Sequence, residues 1–284
     1  MITQILRRKG LGRGSCAGIS RYWANELGRD VRAIQYDKED PDCDILIRWG
    51  CTASVVSHHL FTINTSQMIH RVNDKVGCRR ELLDLCPPTM FLVEDDVFCP
   101  PNYTGNEGMW IGRQSTHSQG RNAVFCKSLE DIHNDSKSTY WTLYLPKQKE
   151  YRIYCLFGKV LCVAEKIPTD PTAVLWNKAQ NGSTFVNVRW GEWPIEVCKM
   201  ALEAQRRIGI DFSGIDVIVY NEQPYLLELN SAPTLSLAYR QQCFAKGFEW
   251  VIQYIENYNK KPPFFEKEIV TNYKQLIHPA MKGE

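Results

Sequence analysis

The sequence has no apolar run approaching the roughly 20 residues that span a bilayer, no internal repeat and no low-complexity tract. A membrane-spanning protein is therefore not expected. It also lacks an excess of one charge: 34 Lys and Arg face 32 Asp and Glu, a net of +2. That balance argues against a dedicated sequence-specific nucleic-acid binder, whose basic footprint is large. None of the 11 cysteines forms a C-x-x-C pair, and the 6 histidines never join them at ligand spacing, which disfavours zinc. No Ser/His/Asp or Cys/His arrangement suggests a protein nucleophile. Arg7, Arg8 and Lys9 are followed by a glycine-rich stretch and not by an apolar segment, so no signal peptide is expected. Single, scattered cysteines then read as reduced, buried thiols in a cytoplasmic protein.

What is present is ordinary for a folded chain: 284 residues, 44% hydrophobic and 23% charged, enough for one large or two to three smaller domains. The small net charge is uneven. Residues 1–80 carry 13 basic and 8 acidic side chains, a bias suited to binding anionic small molecules. The pattern predicts strand 2–6, a glycine loop, helix 16–27 ended by Gly28, and strands 31–36 and 45–50, a small α/β unit with a parallel sheet. A helix over 66–85 stops at Pro87-Pro88. Four short strands follow, at 89–93, 109–114, 123–127 and 139–145, forming a small antiparallel sheet. Further strands are expected at 151–157, 159–167 and 184–189. A helix over 194–208 is ended by Gly209, strands follow at 214–220 and 224–229, and the tail holds a helix over 241–258 with a terminal segment packed on the body.

The most informative segment runs Ser213-Gly-Ile-Asp216-Val-Ile-Val-Tyr220, Asn221-Glu-Gln223, Pro224-Tyr-Leu-Leu-Glu228-Leu-Asn230. It reads as a hairpin. A three-residue loop at 221–223 would set Tyr220 against Pro224 and Asp216 opposite Glu228, with Glu228 and Asn230 on one face and Leu227 and Leu229 on the other. Facing carboxylates repel, and a hard divalent cation with oxygen ligands resolves the conflict. A solvated acidic hairpin face would carry the same residues. The metal reading is favoured because the chain leaves the sheet at Asn230-Ser-Ala-Pro233, as at the edge of a cleft.

With its flanking segments, this hairpin resembles the metal-binding strands of the ATP-grasp superfamily of carboxylate–amine ligases, in the branch of ribosomal-protein glutamate ligases and amino-acid ligases. The resemblance extends from about Asn64 to Asn230. It implies a mixed α/β and α+β ATP-grasp fold: an N-terminal α/β (pre-ATP-grasp) domain over 1–65, a linker helix and lid over 66–145, a C-terminal metal-binding domain over 146–240 and a helical segment over 241–284. It implies ATP and one or two Mg²⁺ ions, with Mn²⁺ a substitute, the metal held by Asp216, Glu228 and Asn230.

The same resemblance places Lys75, in Asn73-Asp74-Lys75, near the ATP phosphates; a solvated lysine beside a capping Asp is the plainer reading. Trp110-Ile-Gly-Arg113 through Arg121 resembles the lid strand and phosphate-covering loop, with His117, Ser118 and Gly120 in the loop and Arg113 where lysine is usual. An ordinary hairpin loop is the alternative. Tyr144 and Leu145 match the adenine-reading hinge, and Glu150 the ribose-binding acid. Arg152, on Glu150's face, is aimed at phosphate or acyl phosphate; an i,i+2 ion pair is the alternative. Lys166 and Lys178 are looser nucleotide candidates.

At the N-terminus, Gly12-x-Gly14-x-x-Ala17 satisfies a relaxed dinucleotide fingerprint with Asp37 after the next strand. The ATP-grasp reading instead turns helix amides near Ser15, with Arg48, toward a substrate carboxylate; Arg48 pairing with Asp42 or Asp44 is the alternative. The expected activity joins a small-molecule, amino-acid or peptide carboxylate to an amine through an acyl phosphate, releasing ADP and phosphate. Arg152 and Arg113 are the catalytic candidates. A catalytically idle nucleotide-binding scaffold of the same fold, or a nicotinamide or flavin oxidoreductase using the glycine loop, are the rival readings.

Overall fold

A computed structural model describes residues 1–36, 42–55, 59–93, 96–98, 108–115, 122–176, 182–264 and 273–281. The chain begins with β1 (Thr3–Arg7), α1 (Arg13–Glu26), β2 (Val31–Gln35), β3 (Ile45–Trp49) and β4 (Phe61–Ile63). They form a parallel sheet in the order β2-β1-β3-β4. Every residue of β3 is buried, as befits a parallel strand covered on both faces. α1 starts three residues earlier than its pattern suggested. Gly28, at φ 65°, then supplies the left-handed residue just past the helix end. The three-residue β4 was not anticipated. It is too short to show a period, and is recruited by pairing with β3.

The expected helix over 66–85 is broken. α2 (Ser66–Asn73) and α3 (Lys75–Glu81) are separated by Asp74, whose carboxylate accepts from the Gly77 N–H at 2.9 Å and caps the second helix. A 3₁₀ turn at Leu83–Leu85 follows. The second sheet is antiparallel in the order β6-β5-β9-β7-β8. It comprises β5 (Thr89–Val93), β6 (Asp96–Phe98), β7 (Trp110–Arg113), β8 (Val124–Cys126) and β9 (Tyr140–Leu143). β6 and the short helix α4 (Leu129–Asn134) were missed. α4 carries a capping box between Ser128 and Asp131 that names its start in the sequence. This sheet has its own small core of Met90, Trp110, Cys126, Ile132 and Trp141.

The third sheet, also antiparallel, runs β12-β11-β10-β13-β14. Its strands are β10 (Lys149–Leu156), β11 (Lys159–Ile167), β12 (Thr184–Asn187), β13 (Phe212–Tyr220) and β14 (Gln223–Asn230). Helix α5 (Ile195–Ile208) packs across β10, β13 and β14, and α6 (Ala238–Tyr258) packs against β11 and α1. α6 approaches closely: a Cβ at Gly247 would lie 2.7 Å from a Leu161 methyl and 2.9 Å from one of Leu156. One continuous core joins the first and third sheets, with Trp49 5.0 Å from Phe212 and 5.3 Å from Phe244. Residues 273–281 return as the expected packed terminal segment, Ile277 bridging to Val160 and Lys159 donating to the Gln275 carbonyl. Ten cysteines lie within the described residues, all buried and none in a disulfide. Among the described residues no helix is long and apolar enough to cross a membrane.

Candidate active site

The hairpin is built differently from expectation yet reaches the same pairing. Its turn is two residues long: Asn221 and Glu222 take φ of 48° and 64°, the positive values of a type I′ turn, and Tyr220 pairs with Gln223 and not Pro224. That register would set Asp216 against Leu227. A bulge intervenes instead: Val217 pairs with Leu226, Leu227 is left without a partner, and Asp216 faces Glu228. The bulge also corrects the apolar face, since Leu226 and Leu229 are buried while Leu227 is only half-buried.

The two carboxylates and the amide do converge. Asn230 Nδ2 lies 3.4 Å from Asp216 Oδ2 and 3.2 Å from Glu228 Oε1. Rotating that amide by half a turn, equivalent in shape, aims its oxygen at the same point. The donor set is then all oxygen and fits Mg²⁺, which takes one or two carboxylates and fills its octahedron with phosphate oxygens and water. Among the described residues no group of three or more His, Cys, Asp and Glu side chains is placed to hold a metal.

Arg152 does not pair with Glu150. Its strand position lies directly across from Asp216, and its Nε and Nη2 each donate to that carboxylate at 2.6 Å. Burial raises the Asp216 pKa and the guanidinium opposes it; despite its own burial, Arg152 is held protonated by Asp216. Glu150 is 4% exposed and lies between two ammonium groups, Lys166 at 2.5 Å and Lys147 at 3.3 Å. Lys147, which sequence reasoning missed, sits 4.9 Å over the Trp176 ring, and burial lowers its pKa against the pull of Glu150. Its i,i+3 spacing from Glu150 was the available signal.

Lys75 opens α3 and donates to the Leu229 carbonyl at 2.8 Å, with Glu228 3.8 Å away. One turn on, Arg79, also missed, is 8% exposed and donates to the Leu227 carbonyl at 2.5 Å. Arg113 lies in the field of Tyr140, Glu228 and Glu150, and burial lowers its pKa. Tyr144 and Leu145 are half-buried at the hinge, with the Tyr144 N–H bonded to the Met109 carbonyl. His117, Ser118, Gly120, Lys178 and Asp37 lie outside the described residues.

Ser15 and Arg48 are occupied elsewhere. The Ser15 hydroxyl accepts from the Leu235 N–H at 2.9 Å, tying α1 to the segment after the hairpin. Arg48 is buried and donates to the carbonyls of Cys51 and Ala53, forming neither of the acidic-turn pairs that were the alternative. Gly12 has a packing explanation: a Cβ there would lie 2.4 Å from the Trp49 ring.

The site face therefore gathers six cations (Lys75, Arg79, Arg113, Lys147, Arg152 and Lys166) around three carboxylates (Glu150, Asp216 and Glu228). Such a surplus in partly buried surroundings is stabilised by a polyanion.

The architecture has known counterparts. A ligase from Chryseobacterium gregarium, described as a RiPP-associated ATP-grasp ligase in complex with ADP and a leader and core peptide, superposes with a TM-score of 0.61 at 13% identity, covering 95% of this chain and all of its own. D-alanine–D-alanine ligase from Bacillus anthracis gives 0.57 at 12% identity over 82% of this chain and 87% of its own. The chain has the ATP-grasp fold. In sequence it is 28% identical over 205 residues to a probable alpha-L-glutamate ligase of Shewanella halifaxensis, covering 66% of this chain and 43% of that protein. A protein of the same description from Parasynechococcus marenigrum is 30% identical over 127 residues, 42% of this chain and 26% of its own. The chain thus spans less than half the length of these curated relatives. No family model matches the sequence.

Proposed function

We propose that this chain is an ATP-dependent carboxylate–amine ligase that forms an amide bond through an acyl phosphate, releasing ADP and phosphate. The observation that carries the reading is the site face itself, where Asp216, Glu228 and Asn230 converge amid a surplus of buried cations. Asp216, Glu228 and Asn230 would hold Mg²⁺, which when bound supplies charge neutralisation on the triphosphate. Lys75 and Arg113 would face phosphate oxygens, with Arg113 able to make two parallel hydrogen bonds where a lysine makes a point contact. Arg152, held rigid against Asp216, would share its charge with the oxyanion that develops when the amine adds to the acyl carbon.

Glu150 bears on the ribose reading in a different way. With both carboxylate oxygens engaged by lysines, it would orient Lys147 and Lys166 toward the nucleotide in preference to binding the sugar. Adenine would be read at the hinge by Leu145 and the Tyr144 carbonyl, since the Tyr144 N–H is spent on Met109. His117, Ser118, Gly120 and Lys178 keep their proposed nucleotide roles on the resemblance alone, as do Ser15 and Arg48 at the substrate side. The domain division at 65, 145 and 240 is proposed on the same footing. The substrates are proposed to be an amino acid or peptide bearing the carboxylate and an amine acceptor, given the names of the relatives.

The test is ADP and phosphate release from Mg-ATP in the presence of glutamate, other amino acids and short peptides. Substrate-dependent turnover that disappears in Asp216→Ala and Glu228→Ala is expected. Nucleotide binding with no turnover on any substrate would favour the idle scaffold, and nicotinamide binding in place of ATP would overturn the ligase reading.

A further inference from the structure

Two cations one turn apart on α3 grip β14 on either side of Glu228. Lys75 donates to the carbonyl of Leu229 and Arg79 to that of Leu227. The second contact is the unusual one, because Leu227 is the residue the bulge leaves without a cross-strand partner. β14 is the last strand of its sheet, so carbonyls that point away from β13 need partners from another element, and the bulge loosens the pairing at Leu227 besides. Arg79 satisfies the Leu227 carbonyl from α3, and its guanidinium lies 5.4 Å over the Tyr140 ring of the second sheet. Its Nη1 is buried without a hydrogen-bond partner, leaving the Leu227 carbonyl bond to Nη2 as the contact that fixes the guanidinium on β14.

Resting on the ligase reading, we propose that Arg79 is a positioning residue for the metal site, fixing the Leu227 bulge and thereby the backbone from which Glu228 faces Asp216. Its effect passes through one carbonyl to the adjacent residue. Outer-shell partners of this kind hold ligating carboxylates in place.

The experiment uses the intact chain. Mn²⁺ binding in the presence of ADP is followed by electron paramagnetic resonance, and ADP binding in EDTA by calorimetry. Arg79→Met should weaken Mn²⁺ binding by roughly tenfold or more, the usual cost of losing an outer-shell partner, while metal-free ADP affinity stays put. Arg79→Lys keeps one donor for the Leu227 carbonyl and should recover most of the loss, which keeps the inference testable if the methionine chain folds poorly.

An unchanged Mn²⁺ affinity in Arg79→Met overturns the proposal, as does a lysine chain no better than the methionine one. A parallel fall in metal-free ADP affinity also overturns it, making Arg79 a phosphate contact. A wild-type chain that binds neither Mn²⁺ nor ADP sinks the ligase reading itself, an outcome distinct from the others.

Discussion

Replacing Asp216 by Asn leaves the buried Arg152 guanidinium without the carboxylate it is hydrogen-bonded to, Glu228 acting on it only through space. Arg152 and Asp216 side chains are 14% and 6% exposed, their two hydrogen bonds are both 2.6 Å long, and Phe185 covers the guanidinium at 4.7 Å. Removing one partner of a buried pair costs about 3–5 kcal/mol, because the other charge is left desolvated. Removing both is far milder, since an apolar pair of similar volume is often neutral. Asp216→Asn and Arg152→Met should therefore each lower stability by about 3 kcal/mol, while the double substitution should cost clearly less than their sum. Urea unfolding of the four chains measures this, followed by tryptophan fluorescence of the shared core around Trp23 and Trp49, because the second sheet has a separate core. Single losses below about 1 kcal/mol, the range of exposed pairs, would refute the reasoning. So would strict additivity, by showing that the two groups do not act on each other.

Three further outcomes follow from other parts of the fold. His278 is fully buried, and desolvation, helped by Lys159, lowers its pKa to about 3. The unfolded chain therefore binds a proton that the folded chain refuses between pH 6.5 and 3, so stability falls as pH drops through that window. From pH 6.5 to 5 this amounts to about 2 kcal/mol, a loss that His278→Asn should not show in urea melts at the two pH values; equal slopes would refute it. Gly247→Val should lower stability by about 1–3 kcal/mol by driving methyls into Leu161 and Leu156, checked by the urea midpoint. Asp74→Ala should cost about 1 kcal/mol as a lost cap, and should also weaken ADP binding by releasing Lys75; unaltered binding would separate Lys75 placement from the cap.

The long elements were readable because their patterns are local. β11 carries an apolar run, α5 an amphipathic stripe closed by Gly209, and each appears within a residue or two of its expected bounds. β4 and β6, three residues each, have no period to read and exist only through their partners. The break at Asp74 was legible: reading Asp74 as a capping residue beside Lys75 already implies a helix start there, which the single helix expected over 66–85 did not use.

The site divides along the same line. Asp216, Glu228 and Asn230 could be brought together from sequence because a hairpin is a local structure, and a three-residue loop without a bulge gives the same facing pair as a two-residue turn with one. The two solutions differ in what they leave over. Only the second leaves Leu227 without a partner across the pair, and its carbonyl, on the outer edge of the sheet, is held by Arg79 from α3. The partner of Arg152 was not foreseen, for the complementary reason. The arginine's neighbour along the strand is visible in the sequence, whereas Asp216 is 64 residues away and comes opposite only through the β10–β13 register. The charges followed the same logic: a net of +2 for the chain gave no hint that six cations converge on three carboxylates. What concentrates them is the meeting of α3, the second sheet and the third, a long-range event that no segment encodes alone. A polyanion would stabilise such a meeting, which is why the surplus supports the reaction proposed for the site.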